Sequence, residues 1–238
     1  MREEVIVHFR KEERPFVERM AEWVELVDRT STPRQTDFLD PRQHFILQTI
    51  TNRFPDLLLY SDGGYTYAER KKVIIVPSYI PFVRDDVDIS LLFIKADHRF
   101  HALTHGDYMG ALLNLGIKRD KFGDILVQPE GAQIIVATEI AGFIMNNLQQ
   151  VHRQSVSITN IPFLDIVIPS QLYEEASFTV MSLRLDAILS ESYNLSRSKV
   201  LPLIRSGKCK VNWAVTDNVS MLIQEGDTLS LQGFGRCK

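Results

Sequence analysis

Apolar residues in this sequence come in short runs, and this limits the fold more than any other feature. The longest uninterrupted run, from Ile140 to Met145, is six residues long, whereas a membrane-spanning helix needs about 20. The 45% hydrophobic and 24% charged content is that of a core-forming globular chain, which excludes a disordered or fibrous protein. We therefore expect no membrane span, and one large domain or two to three small ones in the 238 residues.

The amino-terminal residues and the cysteines indicate the compartment. Residues 1–16 are rich in Arg, Lys and Glu and lack the apolar stretch of a secretory signal. Cys209 and Cys237 are too few for a disulfide framework or a structural zinc site. These features predict a cytoplasmic protein with reduced thiols.

The net charge of −3 conceals an asymmetry along the chain. Residues 1–181 carry 19 basic and 25 acidic side chains, and residues 182–238 carry eight basic and five acidic ones. A small basic module thus follows a mildly acidic body. Such a difference alone is weak support for nucleic-acid binding, because many solvated surfaces are basic.

The first 78 residues are predicted to form a small α/β domain. Apolar residues recur at helical spacing from Pro15 to about Asp28, and Asp40 before Pro41 is a strong helix start. That second helix should end near Arg53. A hairpin with a turn that requires positive φ and a buried strand should follow, over Leu57–Ser61, Tyr65–Ala68 and Lys72–Val76.

Residues 79–172 are predicted to form a ferredoxin-like domain, which is also the fold of RNA-recognition (RRM) domains. The predicted order is strand, helix, strand, strand, helix, strand. One strand, Gln133–Ala137, lacks the stacking aromatic residues by which RNA-recognition domains bind bases. The predicted elements are Asp88–Ala96, Gly106–Leu115, Asp124–Gln128, Gln133–Ala137, Thr138–Val151, Arg153–Thr159 and a last strand at Asp165–Ile168.

Residues 181–238 should form two short helices on a small sheet, which makes the whole chain α+β. The linker before this module contains an alternating stretch, Ala176–Val180, that could form a strand. A second helix should begin after Ser196 as N-cap. The remaining predicted elements are a helix at Ser182–Leu189 and strands at Cys209–Trp213 and Thr228–Leu231.

The motifs of this module resemble the S4 RNA-binding domain. They are Arg184-Leu-Asp186, Ser196-Arg-Ser-Lys199, Ile204-Arg-Ser-Gly-Lys208, Val211-Asn212 and Gly226-Asp227. In that family the two helices and the following turn present basic and hydroxyl groups to RNA phosphates. The resemblance implies RNA contacts by Arg184, Ser196, Arg197, Ser198, Lys199, Arg205, Lys208, Lys210 and Asn212.

Physical chemistry supports this assignment without requiring it. Arg197, Ser198 and Lys199 stand in the first turn of a predicted helix, where free backbone N–H groups and the positive end of the dipole favour phosphate. Asp186 would repel phosphate, so we expect it to hold one of the arginines in place. The alternative is a helix face that is merely solvated.

Catalytic motifs are weak or missing, and no enzyme is predicted. A glycine-rich cofactor turn, a P-loop and a nucleophile elbow do not occur in the sequence. Ser196-x-x-Lys199 has β-lactamase spacing without the companion motifs. His98, His101 and His105 could hold a metal, and so could Asp85, Asp86 and Asp88, but a loop and a solvated turn are the preferred interpretations, so neither metal nor cofactor is expected.

A longer segment, Leu103–Ile125, contains Thr-His-Gly-Asp-Tyr-Met-Gly-Ala-Leu-Leu-Asn-Leu-Gly-Ile-Lys-Arg-Asp-Lys-Phe-Gly-Asp. It resembles the central signature of the bacterial YlmH-like family of S4-domain proteins, and the resemblance extends over essentially the full chain. Lys118, Arg119 and Lys121 match and form a second candidate RNA contact, with a solvated loop as the alternative. The family pattern has Arg where this chain has Gly106, so a basic contact is in doubt there.

The resemblance implies a non-catalytic RNA-binding factor of ribosome-associated quality control. Such a factor acts on large ribosomal subunits with stalled peptidyl-tRNA and assists carboxy-terminal tailing of the nascent chain. The implied partners are large-subunit ribosomal RNA, other quality-control factors and, as a further candidate, peptidyl-tRNA, with no membrane and no small-molecule substrate. The alternatives are a factor in ribosome assembly or division-linked regulation and, third, an RNA-modifying enzyme such as a pseudouridine synthase.

Overall fold

The computed structural model describes residues 9–83, 86–96, 102–169 and 174–238. By its internal contacts the chain divides into two compact units, Met1–Ser170 and Gln171–Lys238. The predicted boundary near Pro77 falls inside the first unit, so both sheets of the first 170 residues belong to one compact body. Within the described ranges, no helix has both the length and the apolar character needed to cross a membrane.

Two helices and a three-stranded antiparallel sheet form the amino-terminal part of the first unit. Apolar residues of both helices and of the sheet share one core, which includes Val24, Ile46 and Ile75. The second helix begins as predicted, because the Asp40 carboxylate accepts a hydrogen bond from the Gln43 N–H at 2.8 Å. In chain order the elements are α1 (Arg14–Thr30), β1 (Arg34–Gln35), α2 (Pro41–Thr51), β2 (Leu57–Asp62) and β3 (Lys72–Pro77).

The predicted strand at Tyr65–Ala68 is wrong. Strand β2 pairs directly with β3, and β1, which was not predicted, pairs with the other edge of β3. Gly64 has φ +92°, so the predicted turn with positive φ is confirmed. Residues 65–68 do not pair with β2; Tyr65, Glu69 and Arg70 bind Asp124 of the next sheet instead.

The central part has the ferredoxin-like topology that was predicted. Its strands stand in the antiparallel order β5-β6-β4-β8-β7, with the two helices following the first and third strands of the motif. The elements are β4 (Ile89–Ala96), α3 (His105–Asn114), β5 (Phe122–Gln128), β6 (Gly131–Ala137), α4 (Thr138–Asn147), β7 (Gln150–Val151) and β8 (Gln154–Ile161).

Two central elements differ from prediction. Helix α4 ends at Asn147 rather than Val151, because Gln150 and Val151 pair with β8 as a short strand. The predicted strand Asp165–Ile168 is wrong. The side chain of Gln133 on β6 donates to the Asp165 carbonyl at 2.8 Å and accepts from the Val167 N–H at 2.7 Å. These bonds hold the segment against the face of the sheet.

One face of the central sheet is covered throughout, and the other is covered over β5, β6 and the start of β4. One face packs on α3 and α4 in a core that includes Ile94 and Tyr108. The opposite face lies in a second core, where Phe38 from the amino-terminal part packs with Leu91 and Ile135. A methyl group on Gly123 would lie 2.8 Å from Cε1 of Phe38, which shows how closely the two parts fit. On the face where RNA-recognition domains stack bases, β6 and the start of β4 are thus occupied by the protein itself, whereas the outward residues of β8, such as Thr159, are exposed.

The second unit contains two helices on one face of a four-stranded antiparallel sheet. Leu185, Leu189, Val200 and Ile204 of the helices share a core with inward residues of the sheet. The sheet order is β10-β9-β11-β12. The elements are α5 (Leu185–Ser192), α6 (Arg197–Arg205), β9 (Cys209–Val211), β10 (Ala214–Val215), β11 (Leu229–Leu231) and β12 (Gly235–Cys237).

Three predictions in this unit are corrected. Helix α5 begins at Leu185 rather than Ser182, because the Leu183 carbonyl accepts from the Ile223 N–H at 2.8 Å and keeps the preceding residues extended. Strand β9 ends at Val211, because the next two residues have positive φ and form a turn. Residues 176–180 form no regular element.

Candidate RNA-binding surfaces

The first turn of α6 presents the predicted cationic and hydroxyl residues to solvent. Arg197, Ser198 and Lys199 are the first three residues of the helix, all three are exposed, and this turn contains no acidic residue. The hydroxyl of the N-cap residue Ser196 lies 2.9 Å from the hydroxyl of Ser198 and does not cap the backbone. The helix therefore offers phosphate two flexible cations and the positive end of its dipole.

Arg184 stands at the start of α5 and is held by a buried carboxylate. Its Nε lies 3.0 Å from Oδ1 of Asp186, whose side chain is 7% exposed, against 42% for Arg184. The expectation that Asp186 holds an arginine is thus confirmed. The guanidinium has five N–H donors in a fixed fork, so donors remain for a phosphate after one has bound Asp186.

The remaining predicted contacts divide between the helices and the sheet. Arg205 is exposed and lies two helical turns after Ser198, on the same side of α6. Lys208 and Lys210 are also exposed, but they belong to the chain that enters and forms β9. Lys210 alternates with the buried residues Cys209 and Val211, so it points away from the helices.

Asn212 has a structural task inside the module. Its amide group donates to Oδ1 of Asp227 at 2.7 Å and accepts from the Thr228 N–H at 2.9 Å. Its backbone has φ +49°, a conformation that Asn adopts more readily than most residues. A direct RNA contact by this side chain would compete with these bonds, so the geometry favours a positioning role.

The second candidate cluster is largely engaged by its own domain. Arg119 donates to the carbonyls of Phe122 and Gly123 at 2.6 and 3.1 Å, and burial lowers its pKa to about 10. Nζ of Lys121 lies 2.7 Å from Asp37 and 2.8 Å from Glu139, and these hydrogen bonds raise the pKa of Lys121. Lys118 is the exposed member of the three.

Gly106 lies at the edge of a groove of about 520 Å³ between α3 and the end of α4. The lining contains amide side chains, including Asn114, Asn147 and Gln150, and no lysine or arginine. The groove therefore provides no strong cation for phosphate at the position where the resemblance led us to expect Arg.

The structure also brings together two residues that sequence analysis did not select. The guanidinium of Arg236 lies 5.1 Å from the centre of the Trp213 ring. Register places Arg236 opposite Ser230, and Ser230 opposite Lys210, so the two cations lie on one face of the sheet. The composition of the sequence does not predict that β11 pairs with β12. The one local feature that indicates a hairpin there is the turn at Gly233-Phe-Gly235.

Metal-binding clusters of three or more His, Cys, Asp or Glu are not found among the described residues. Of the candidate metal ligands, His98, His101 and Asp85 lie outside those residues. Asp86 accepts a hydrogen bond from the Val83 N–H at 2.9 Å, as in a turn before a strand.

Comparisons with known proteins agree along the whole chain. Residues 12–80 match the family described as "YlmH, N-terminal", residues 83–165 match "Putative RNA-binding domain in YlmH", and residues 183–229 match the S4 domain. "Ribosome-associated protein quality control protein P2" of Bacillus subtilis (strain 168) is 38% identical over 234 residues, which are 98% of this chain and 91% of the relative.

A solved structure is also similar. It is "Cell division protein ylmH from Streptococcus pneumoniae", with a TM-score of 0.57 and 33% identity, and the match covers 66% of this chain and 96% of that one. These comparisons confirm both resemblances stated for the sequence and the α+β fold class.

Proposed function

The chain belongs to the YlmH family of S4-domain proteins, and we propose from this that it is an RNA-binding factor of ribosome-associated quality control. The observation that carries the proposal is the match over 98% of the chain to a relative named for that process. The exposed cations of α6 support it, because they suit the backbone of an RNA helix. Such a role places the protein in the cytoplasm.

In its finer form, the proposal is that the protein acts without catalysis on the large subunit carrying stalled peptidyl-tRNA and assists carboxy-terminal tailing. Arg184, Arg197 and Lys199 would bind phosphates of large-subunit ribosomal RNA. Contacts of this kind position a protein by shape and charge rather than by base sequence. The acidic first unit would then be left to meet peptidyl-tRNA or other quality-control factors.

Sedimentation of cell lysate through sucrose gradients tests the ribosomal role. We expect the wild-type protein to move with large subunits at low salt and to be released at high salt. A triple variant, Arg184→Ala, Arg197→Ala and Lys199→Ala, should stay at the top of the gradient.

The matched control removes the same charge from exposed positions of the first unit. Arg14→Ala, Arg29→Ala and Arg53→Ala together should leave sedimentation unchanged. A wild-type protein that stays at the top of the gradient contradicts the ribosomal role. A triple variant that moves like the wild type contradicts the assignment of the site.

A second candidate function is a role in ribosome assembly or in division-linked regulation. It is favoured by the name of the pneumococcal relative, a cell division protein. Purified large subunits with and without bound peptidyl-tRNA distinguish the two candidates. Quality control predicts tighter binding to subunits that carry peptidyl-tRNA, whereas equal binding to both favours the second candidate.

A further inference from the structure

The sheet of the second unit has an outer face that the helices do not cover. Cys209, Val211, Leu229 and Leu231 point inward into the core shared with α5 and α6. The residues between them point outward, in a row set by strand register. That row is Val215 on β10, Lys210 on β9, Ser230 on β11 and Arg236 on β12.

Trp213 occupies an unusual position at the end of this sheet. Asn212 and Trp213 have φ of +49° and +64° and link the paired residues Val211 and Ala214, which is the geometry of a two-residue type I′ hairpin. The second position of such a turn favours Gly, and a bulky aromatic residue is an outlier there. The side chain of Asn212 bonds Asp227 and Thr228, which ties the turn that carries the indole to the start of β11.

The contact between Trp213 and Arg236 crosses the outer face. Strand β11 separates β9 from β12, so the contact between a side chain of the β9–β10 turn and one of β12 spans β11. The residue of β11 between the two cations is Ser230, which is small. The half-exposed indole and the exposed Arg236 side chain therefore form a cation–π pair at the surface of the sheet.

We propose that this outer-sheet surface, formed by Lys208, Lys210, Trp213, Ser230 and Arg236, is a second RNA-binding site, which takes an unpaired nucleotide. The base would stack on the Trp213–Arg236 pair, and the two lysines would bind neighbouring phosphates. The inference rests on the proposed function only in that the protein binds RNA.

Composition of the face favours RNA over an apolar protein partner. Within residues 209–237, which the structure describes throughout, the outward strand positions named above carry two cations and no carboxylate. Lys208 stands two residues before Lys210, with the buried Cys209 between them, and its side chain is exposed like that of Lys210. An aromatic ring beside cations is the usual composition of sites that bind single-stranded nucleic acid.

Fluorescence of Trp213 reports directly on this site. The chain has two tryptophans, so the full-length Trp23→Phe protein leaves Trp213 as its one indole. The probes are an oligouridine of about 12 nucleotides and a blunt RNA duplex of about 12 base pairs. We expect oligouridine to quench the indole emission and the duplex, which has no unpaired base, to leave it nearly unchanged.

Trp213→Gly removes the ring while giving the turn the residue that it favours, so the fold is retained. This variant should bind oligouridine about tenfold more weakly and the duplex with unchanged affinity. Trp213→Phe should recover part of the loss. Arg197→Ala with Lys199→Ala is the matched control and should weaken duplex binding more than oligouridine binding.

Three outcomes overturn the inference. Duplex binding without quenching by oligouridine, and with no effect of Trp213→Gly, leaves the proposed function standing and removes the second site. Quenching by an acidic peptide such as oligoglutamate, but not by oligouridine, assigns the surface to a protein partner. Failure to bind either RNA removes the RNA-binding function and the inference with it.

Discussion

The side chain of Arg184 is held at the surface of the S4 domain by a carboxylate that is itself buried. A single ion pair of this kind decides where a guanidinium points, and Asn212 fixes its turn in the same way through Asp227 and Thr228. Arg197 and Lys199, in contrast, are exposed at the helix start. At the scale of residues, the proposed site thus combines positioning residues with candidate contact residues, and their substitution should have different effects.

Asp186→Asn keeps the shape of the buried side chain and removes its charge. If Asp186 acts only by placing Arg184, then Asp186→Asn and Arg184→Ala should each weaken binding to large subunits, Arg184→Ala by about tenfold. The double variant should bind no more weakly than Arg184→Ala alone, because both substitutions remove the same contact between Arg184 and RNA.

Filter-binding titrations of the two single variants and the double variant give the comparison. Urea denaturation of each variant serves as the control for folding. Losses that simply add would show that Asp186 contributes to binding independently of Arg184.

At the scale of elements, the parts that could be predicted were those with a local cause. Asp40 before Pro41 starts a helix whatever surrounds it, and the order of central elements was sufficient for the ferredoxin-like topology. The wrong strands, Tyr65–Ala68 and Asp165–Ile168, have partners that lie far along the chain, namely Asp124 and Gln133. Sequence periodicity contains no information about such partners.

The candidate site divides in the same way. Exposure of Arg197, Ser198 and Lys199 follows from a local helix start and could be predicted. Lys121 is bound by Asp37 and Glu139, which stand 84 and 18 positions away in the sequence. Its ion pairs within the first unit could therefore not be predicted. That Arg236 and Lys210 lie on one face, on either side of Ser230, could be found only from the strand register.

Gly123→Ala tests the packing of the amino-terminal part on the central sheet. The added methyl group would lie 2.8 Å from Cε1 and 3.1 Å from Cδ1 of Phe38, so Phe38 or the strand must shift. We expect the free energy of unfolding to fall by about 1–3 kcal/mol, as for overpacking in a core. Urea denaturation followed by circular dichroism measures the change.

Gly142→Ala in α4 is the control for this substitution. Its methyl group would have no atom within 4 Å, and Ala favours a helix over Gly, so stability should be unchanged or rise by up to about 1 kcal/mol. Equal effects of the two substitutions would contradict the packing described for Phe38.

At the scale of the whole molecule, acidic and basic side chains are distributed unevenly along the chain. Residues 1–181 carry an excess of acidic side chains and residues 182–238 an excess of basic ones. Over β5, β6 and the start of β4, the sheet face that would stack bases in an RNA-recognition domain is covered by Phe38 and its neighbours. We therefore propose that the main RNA contact lies in the S4 domain and that the covered strands of the first unit do not stack bases.

Salt dependence of binding to purified large subunits tests this claim most directly. Each phosphate that a cation neutralises contributes about 0.7–0.9 to the slope of log K against log salt concentration. Arg197→Ala with Lys199→Ala should flatten the slope by about two, measured between roughly 50 and 200 mM salt. Arg14→Ala with Arg29→Ala, in the first unit, should leave it unchanged. An unchanged slope in the α6 variant, or equal flattening in both, would contradict the account.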